Sequence, residues 1–114
     1  MMRIFYALAA LIVLGCHVPA ALAADASVTI SSPHNGAKFR PWTEVDIVYE
    51  ATLGPNGDHV HLYVDSGKAV VLSALKGSYP AGTLVEGAHK ICINVVNKSH
   101  TPLGAQDCVN VNVQ

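Results

Sequence analysis

In four separate stretches of this chain, apolar side chains fall on every second residue. They are Val45, Ile47, Tyr49 and Ala51; Val60, Leu62 and Val64; Ile91, Ile93 and Val95; and Val109, Val111 and Val113. A period of two marks a strand with one face buried, because successive strand side chains point to opposite sides of a sheet. Helix formers are scarce: beyond residue 23 there is no Met and there are only three Glu, while β-branched residues recur throughout. The pattern predicts strands over Ser27 to Ser31, Val45 to Thr52, His59 to Asp65, Ala69 to Ser73, Lys90 to Val96 and Cys108 to Val113, with a short piece at Thr83 to Val85. Turn residues separate them at Pro33 to Gly36, Gly54 to Gly57, Asp65 to Gly67 and Gly77 to Gly82. About seven short strands with turns about every ten residues predict an all-β fold, an antiparallel β-sandwich.

The leading residues have a different character. Of the first 23, 19 are apolar, which leaves 39 among the other 91 and explains the 51% apolar composition of the whole. Met1 to Arg3 form a short positive region, Ile4 to Leu14 an apolar core, and Ala21-Leu22-Ala23 a small-residue cleavage site after Pro19. Gly15, His17 and Pro19 interrupt the run too early for a membrane-spanning helix, which needs about 20 apolar residues. The expectation is a signal peptide over 1–23, cleavage after Ala23, and export of a single domain over 24–114 to a bacterial periplasm or beyond. A competing reading is a lipoprotein box at Val13-Leu14-Gly15-Cys16, in which Cys16 would carry lipid and anchor the protein to a membrane. Leu14 departs from the small residue that such boxes prefer.

Either reading removes Cys16 from the thiol inventory and leaves Cys92 and Cys108, which in an oxidising compartment read as a disulfide. The alternation supports the pairing. Both cysteines fall opposite the apolar sets around them, and a hairpin centred on His100 sets residue 92 directly across from residue 108. A metal-binding cysteine pair is the weaker alternative because no CxxC spacing occurs.

Three further segments resemble bacterial secreted immunoglobulin-like domains, a group that includes fibronectin III-like modules. They are Ile30-Ser31-Ser32-Pro33-His34-Asn35-Gly36-Ala37-Lys38-Phe39, Val60-His61-Leu62-Tyr63-Val64-Asp65 and Gly87-Ala88-His89-Lys90-Ile91. The resemblance implies an immunoglobulin-like sandwich and specifies no function. Ser66, inserted before Gly67, departs from the pattern, as does a disulfide joining neighbouring strands of one sheet. The first segment is also similar to periplasmic copper-resistance sandwich proteins, whose mature N-terminal histidine has no counterpart at Ala24 or Asp25.

Chemistry is concentrated in histidine, with His34, His59, His61, His89 and His100 among the last 91 residues. His59 and His61 share a strand face about 7 Å apart at their Cα atoms, close enough to chelate one ion, and Val60, Leu62 and Val64 claim the core side. In the topology that the resemblance implies, the loop before this strand and the loop between the last two strands lie at one end, which brings His100 toward His59. His34 and His89 belong at the other end, His89 as a buried partner in the corner before its strand. Three neutral imidazoles suit copper or zinc, and the competing reading is a set of solvated surface histidines. A second candidate surface is the outer sheet face, where Tyr63, Lys90, Asn94, Asn110 and Asn112 accompany the histidines and could receive a protein or a glycan. Trp42, after Pro41, is expected to plug the core. There is no GxSxG, HExxH, P-loop or GxGxxG motif, so the expectation is a protein that binds and does not catalyse. With six Lys or Arg against eight Asp or Glu beyond residue 23 and no basic run, nucleic acid is not an expected partner.

Overall fold

The structure is a computed structural model and describes residues 12, 15 and 25–114. The expected signal segment over 1–23, its cleavage site and the lipoprotein box at Cys16 lie outside the described residues, apart from Ile12 and Gly15. Eight strands make up the rest: β1 (Ser27–Ser32), β2 (Ala37–Phe39), β3 (Glu44–Thr52), β4 (His59–Val64), β5 (Val70–Leu72), β6 (Lys76–Thr83), β7 (Gly87–Val96) and β8 (Pro102–Val113). They form a three-stranded sheet in the order β1-β3-β6 and a five-stranded sheet in the order β2-β8-β7-β4-β5. The pairs are antiparallel except β2 with β8, which runs parallel over three residues.

The period-two sets become the facing layers of the sandwich. Val45, Ile47, Tyr49 and Ala51 of β3 are buried from one sheet, and Val60, Leu62, Ile91, Ile93, Val95, Val109, Val111 and Val113 from the other. Each aliphatic side chain withdrawn from water here stabilises the fold by roughly 1.5–3 kcal/mol before entropy is counted. Across the two sheets, the backbone N–H of Ile30 donates to Asp107 Oδ2 at 2.8 Å, so β1 is tied to β8 as well as to β3. Cys92 and Cys108 face each other in the β7–β8 register and are joined by a disulfide.

Three expectations need correcting. Residues 77–82, expected as a turn, lie inside β6, which pairs with β3 from Glu44↔Thr83 to Glu50↔Lys76. Pro80 and the glycines at 77 and 82 are tolerated because β6 is an edge strand, hydrogen-bonded on one side, with a register shift at Val45/Asp46. The separate strand at Thr83 to Val85 does not exist, and β2, which no local pattern announces, does. Trp42, expected in the core, is 87% exposed. It sits in the four-residue connection between β2 and β3, at φ 67°, and that tight turn aims its side chain outward.

Candidate metal centre

β4 begins at His59 only because the chain turns sharply just before it. A Cβ on Gly57 would fall 2.1 Å from the carbonyl oxygen of Leu53, so glycine alone fits this approach. The backbone N–H of Asp58 then donates to the carbonyl of Val96 at 2.8 Å, and the register His59↔Val96 and His61↔Asn94 sets both imidazoles against the end of β7.

The third histidine arrives on the β7–β8 connection. Asn97 organises that loop: its Oδ1 accepts from the backbone N–H of Ser99 at 2.9 Å and of Thr101 at 3.0 Å. Its own backbone N–H donates to the Thr101 carbonyl, and its carbonyl accepts from the N–H of His100 at 2.9 Å. His100 takes a left-handed conformation, φ 62°, which a non-glycine residue holds only when its surroundings compel it.

The outcome is a triangle of ring nitrogens. His59 Nε2 lies 2.8 Å from His61 Nε2 and 3.3 Å from His100 Nδ1, and His100 Nδ1 lies 3.1 Å from His61 Nε2. Among the described residues, these three form the one group of His, Cys, Asp or Glu side chains converging closely enough to hold an ion. His61 points from the outer face, as its strand position requires, yet is only 4% exposed because the rings of His59, His100 and Tyr63 cover it.

Protons cannot satisfy this triangle. Two facing imidazole nitrogens form a hydrogen bond when one carries hydrogen and the other a lone pair, and three mutually facing nitrogens cannot all alternate. At least one side of the triangle sets like against like. Three lone pairs directed at one cation remove the conflict. Two features keep lone pairs available. Asp58 Oδ2, an acceptor, lies 2.9 Å from His59 Nδ1 and can accept a hydrogen there, the tautomer that turns the Nε2 lone pair toward the cluster. Burial, and next the coulombic influence of His59 and His100, push the His61 pKa below the ordinary imidazole value, which favours its neutral form. The donor set therefore fits a borderline d-block ion such as copper or zinc.

The other histidines lie apart. His34 is exposed in the β1–β2 turn. His89 is buried near the start of β7, at the far end of that strand from the cluster, with Nδ1 2.7 Å from Asp65 Oδ2 and Nε2 on the Val85 carbonyl. Both its nitrogens face acceptors, an arrangement that favours the protonated ring, and its pKa is raised first by the Asp65 hydrogen bond and then by Val85. Asp65 Oδ1 also accepts from the backbone N–H of Lys90 at 2.9 Å, which makes this corner a structural clamp. Local sequence offers one sign of Asp58's role, an acidic residue immediately before a histidine; it offers none for Asn97, whose partners are all backbone.

On the outer face of the five-stranded sheet, Tyr63, Asp65, Lys90, Cys92, Asn94 and Gln106 line a shallow polar groove beside the histidines. Asn94 Oδ1 is buried there without a hydrogen-bond partner.

No protein-family profile matches this chain, and no curated protein sequence does. Solved structures do share its fold, which is an immunoglobulin-like, fibronectin III-like β-sandwich. The fibronectin(III)-like modules of Clostridium thermocellum CbhA superpose with a TM-score of 0.61 at 17% identity, covering 75% of this chain and 93% of that one. The extracellular domain of BT4673 from B. thetaiotaomicron, described as a putative one component system, matches with a TM-score of 0.53 at 9% identity over 77% of this chain. That match spans 15% of the larger protein.

Proposed function

We propose that this chain is an exported, non-catalytic binding module that holds a copper or zinc ion at one end of its sandwich through His59, His61 and His100. The nitrogen triangle carries the reading, with sides of 2.8, 3.1 and 3.3 Å. The leading 23 residues and the Cys92–Cys108 bridge support export, because disulfides persist in oxidising compartments. Cleavage after Ala23 would give a soluble domain, and modification at Cys16 a membrane-anchored one.

Isothermal titration of the purified exported protein with Zn(II) and with Cu(II) tests the site. One equivalent should bind, the H59A/H61A variant should bind none at that site, and Asp58→Asn should weaken binding by about 10–100-fold through loss of the His59 partner. Equal binding by the native and double-variant proteins would overturn the assignment.

A second reading rests on the polar groove, where the unpartnered Asn94 Oδ1 awaits a donor. On it the protein is a metal-free adhesion or accessory domain that binds a protein or glycan through its outer sheet. Retention on an insoluble glycan that persists in chelator and disappears with Asn94→Leu would favour it.

A further inference from the structure

The shape of the nitrogen triangle says more than that an ion fits. We infer, resting on the metal reading above, that His59, His61 and His100 form the base of a four-coordinate, zinc-type centre whose fourth position is open and takes a small anion.

Distances exclude a planar ion, and the chemistry of the donor set favours four-coordination over six. Around a tetrahedral ion with Zn–N bonds of about 2.0–2.1 Å, nitrogens stand about 3.3 Å apart. Around planar Cu(II), any three ligands include a trans pair about 4 Å apart. The three sides here are 2.8, 3.1 and 3.3 Å, so no pair approaches the trans distance. Reaching it would require the Asn97-built loop to open. A six-coordinate ion with the three nitrogens on one face would set them about 3.0 Å apart, which the triangle also matches, but six-coordination belongs to oxygen-rich sites, whereas zinc on three imidazoles takes a single external ligand.

The open position follows from the same triangle. Nitrogens with these separations lie about 1.8 Å from their common centre, so an ion bonded to all three at about 2.0–2.1 Å stands about 1 Å out of their plane. The three bonds make a pyramid and leave a further position on the far side of the ion. Among the described residues no fourth His, Cys, Asp or Glu joins the group, and the adjacent carboxylate, Asp58, is engaged by His59 Nδ1. His100 is exposed, so the centre lies at the protein surface and solutes can reach it. Charge selects the ligand class. Three neutral imidazoles leave the double positive charge of the ion uncompensated within its own shell, which favours hydroxide, carboxylate or another small anion over a neutral donor.

Cobalt(II) is the probe, because its visible absorption is intense when four-coordinate and weak when six-coordinate. Full-length exported protein should take up one equivalent with intense bands, Zn(II) should displace it, and millimolar azide should shift the bands saturably. His100→Ala should abolish the intense bands while the far-ultraviolet β-sheet spectrum stays native. Uptake with weak bands would overturn four-coordination and leave the metal reading standing. Intense bands indifferent to azide would overturn the open position. No uptake of Co(II) or Zn(II) would overturn the metal reading and this inference together.

Discussion

At the scale of single residues, two buried histidines do opposite things because of what faces their nitrogens. His61 is surrounded by other imidazoles and burial, both of which oppose a positive charge. His89 is also buried, but Asp65 and the Val85 carbonyl both face its ring nitrogens, which favours its protonated form. The Asp65 pKa moves the other way, lowered first by the His89 hydrogen bond and then by the backbone N–H of Lys90. These shifts set the pH dependence of the corner. A raised histidine pKa contributes stability that is complete below its unfolded value of about 6.5 and is lost as pH rises through the folded value. A lowered aspartate pKa contributes stability that is complete above about 3.9 and is lost as pH falls through the folded value. The pair therefore stabilises fully between about pH 4 and pH 6.5. Asp65→Asn should lower stability by about 1 kcal/mol at pH 5.5, a figure that allows for the half-exposed carboxylate. The deficit should shrink by pH 8.5, and thermal melts of the two proteins at both pH values measure it; a deficit independent of pH would contradict an ionised pair. The HxH spacing was legible in sequence because it depends only on strand alternation. Covering of His61 was not, because the covering ring of His100 lies 39 residues away.

Among the elements, the β7–β8 hairpin carries both the covalent staple and the loop that delivers His100. Cys92 and Cys108 are separated by 16 residues, and closing a loop of this size should stabilise the fold by roughly 3 kcal/mol in the chain-entropy model. A C92S/C108S variant should show a lowered urea midpoint and a steeper slope, because the unbridged unfolded chain is less compact and exposes more surface. Its metal binding in native buffer should survive, because Asn97 holds the His100 loop through hydrogen bonds that do not involve the bridge. A midpoint equal to that of the parent would refute the stabilising role. The hairpin register was readable from two alternating segments about a turn-rich centre. β6 was not, since Gly77, Pro80 and Gly82 spell a turn to any local reading. Only the neighbouring β3 makes them a strand, by offering one hydrogen-bonding edge on which a proline can lie.

For the whole molecule, the sandwich has two chemically different ends. One carries the histidine cluster, at the β3–β4 and β7–β8 loops. The other carries Trp42 with Pro41, Leu84 and Val85, a small apolar patch around the start of β3 and β7. Trp42 is the only tryptophan in the chain, so its fluorescence reports directly on this end. Native emission should already be that of a water-exposed indole and should shift little on unfolding. Trp42→Gly should be neutral within about 0.5 kcal/mol or stabilising, since glycine accepts the positive φ without strain, whereas removing a core tryptophan costs about 3–5 kcal/mol. A blue-shifted native emission that moves red in urea would place the indole in the core after all. Sequence alone determined the all-β class, the buried faces of β3, β4, β7 and β8, and the pairing of Cys92 with Cys108, because each depends on alternation along a strand or across one hairpin. Tertiary structure alone decided how closely the three imidazoles grouped by alternation and the implied topology come together, that Asp58 stands beside His59 Nδ1, and that Trp42 faces water. Those outcomes depend on how two loops close over a strand end and which way a tight turn aims its side chain, and no periodicity in the chain encodes either.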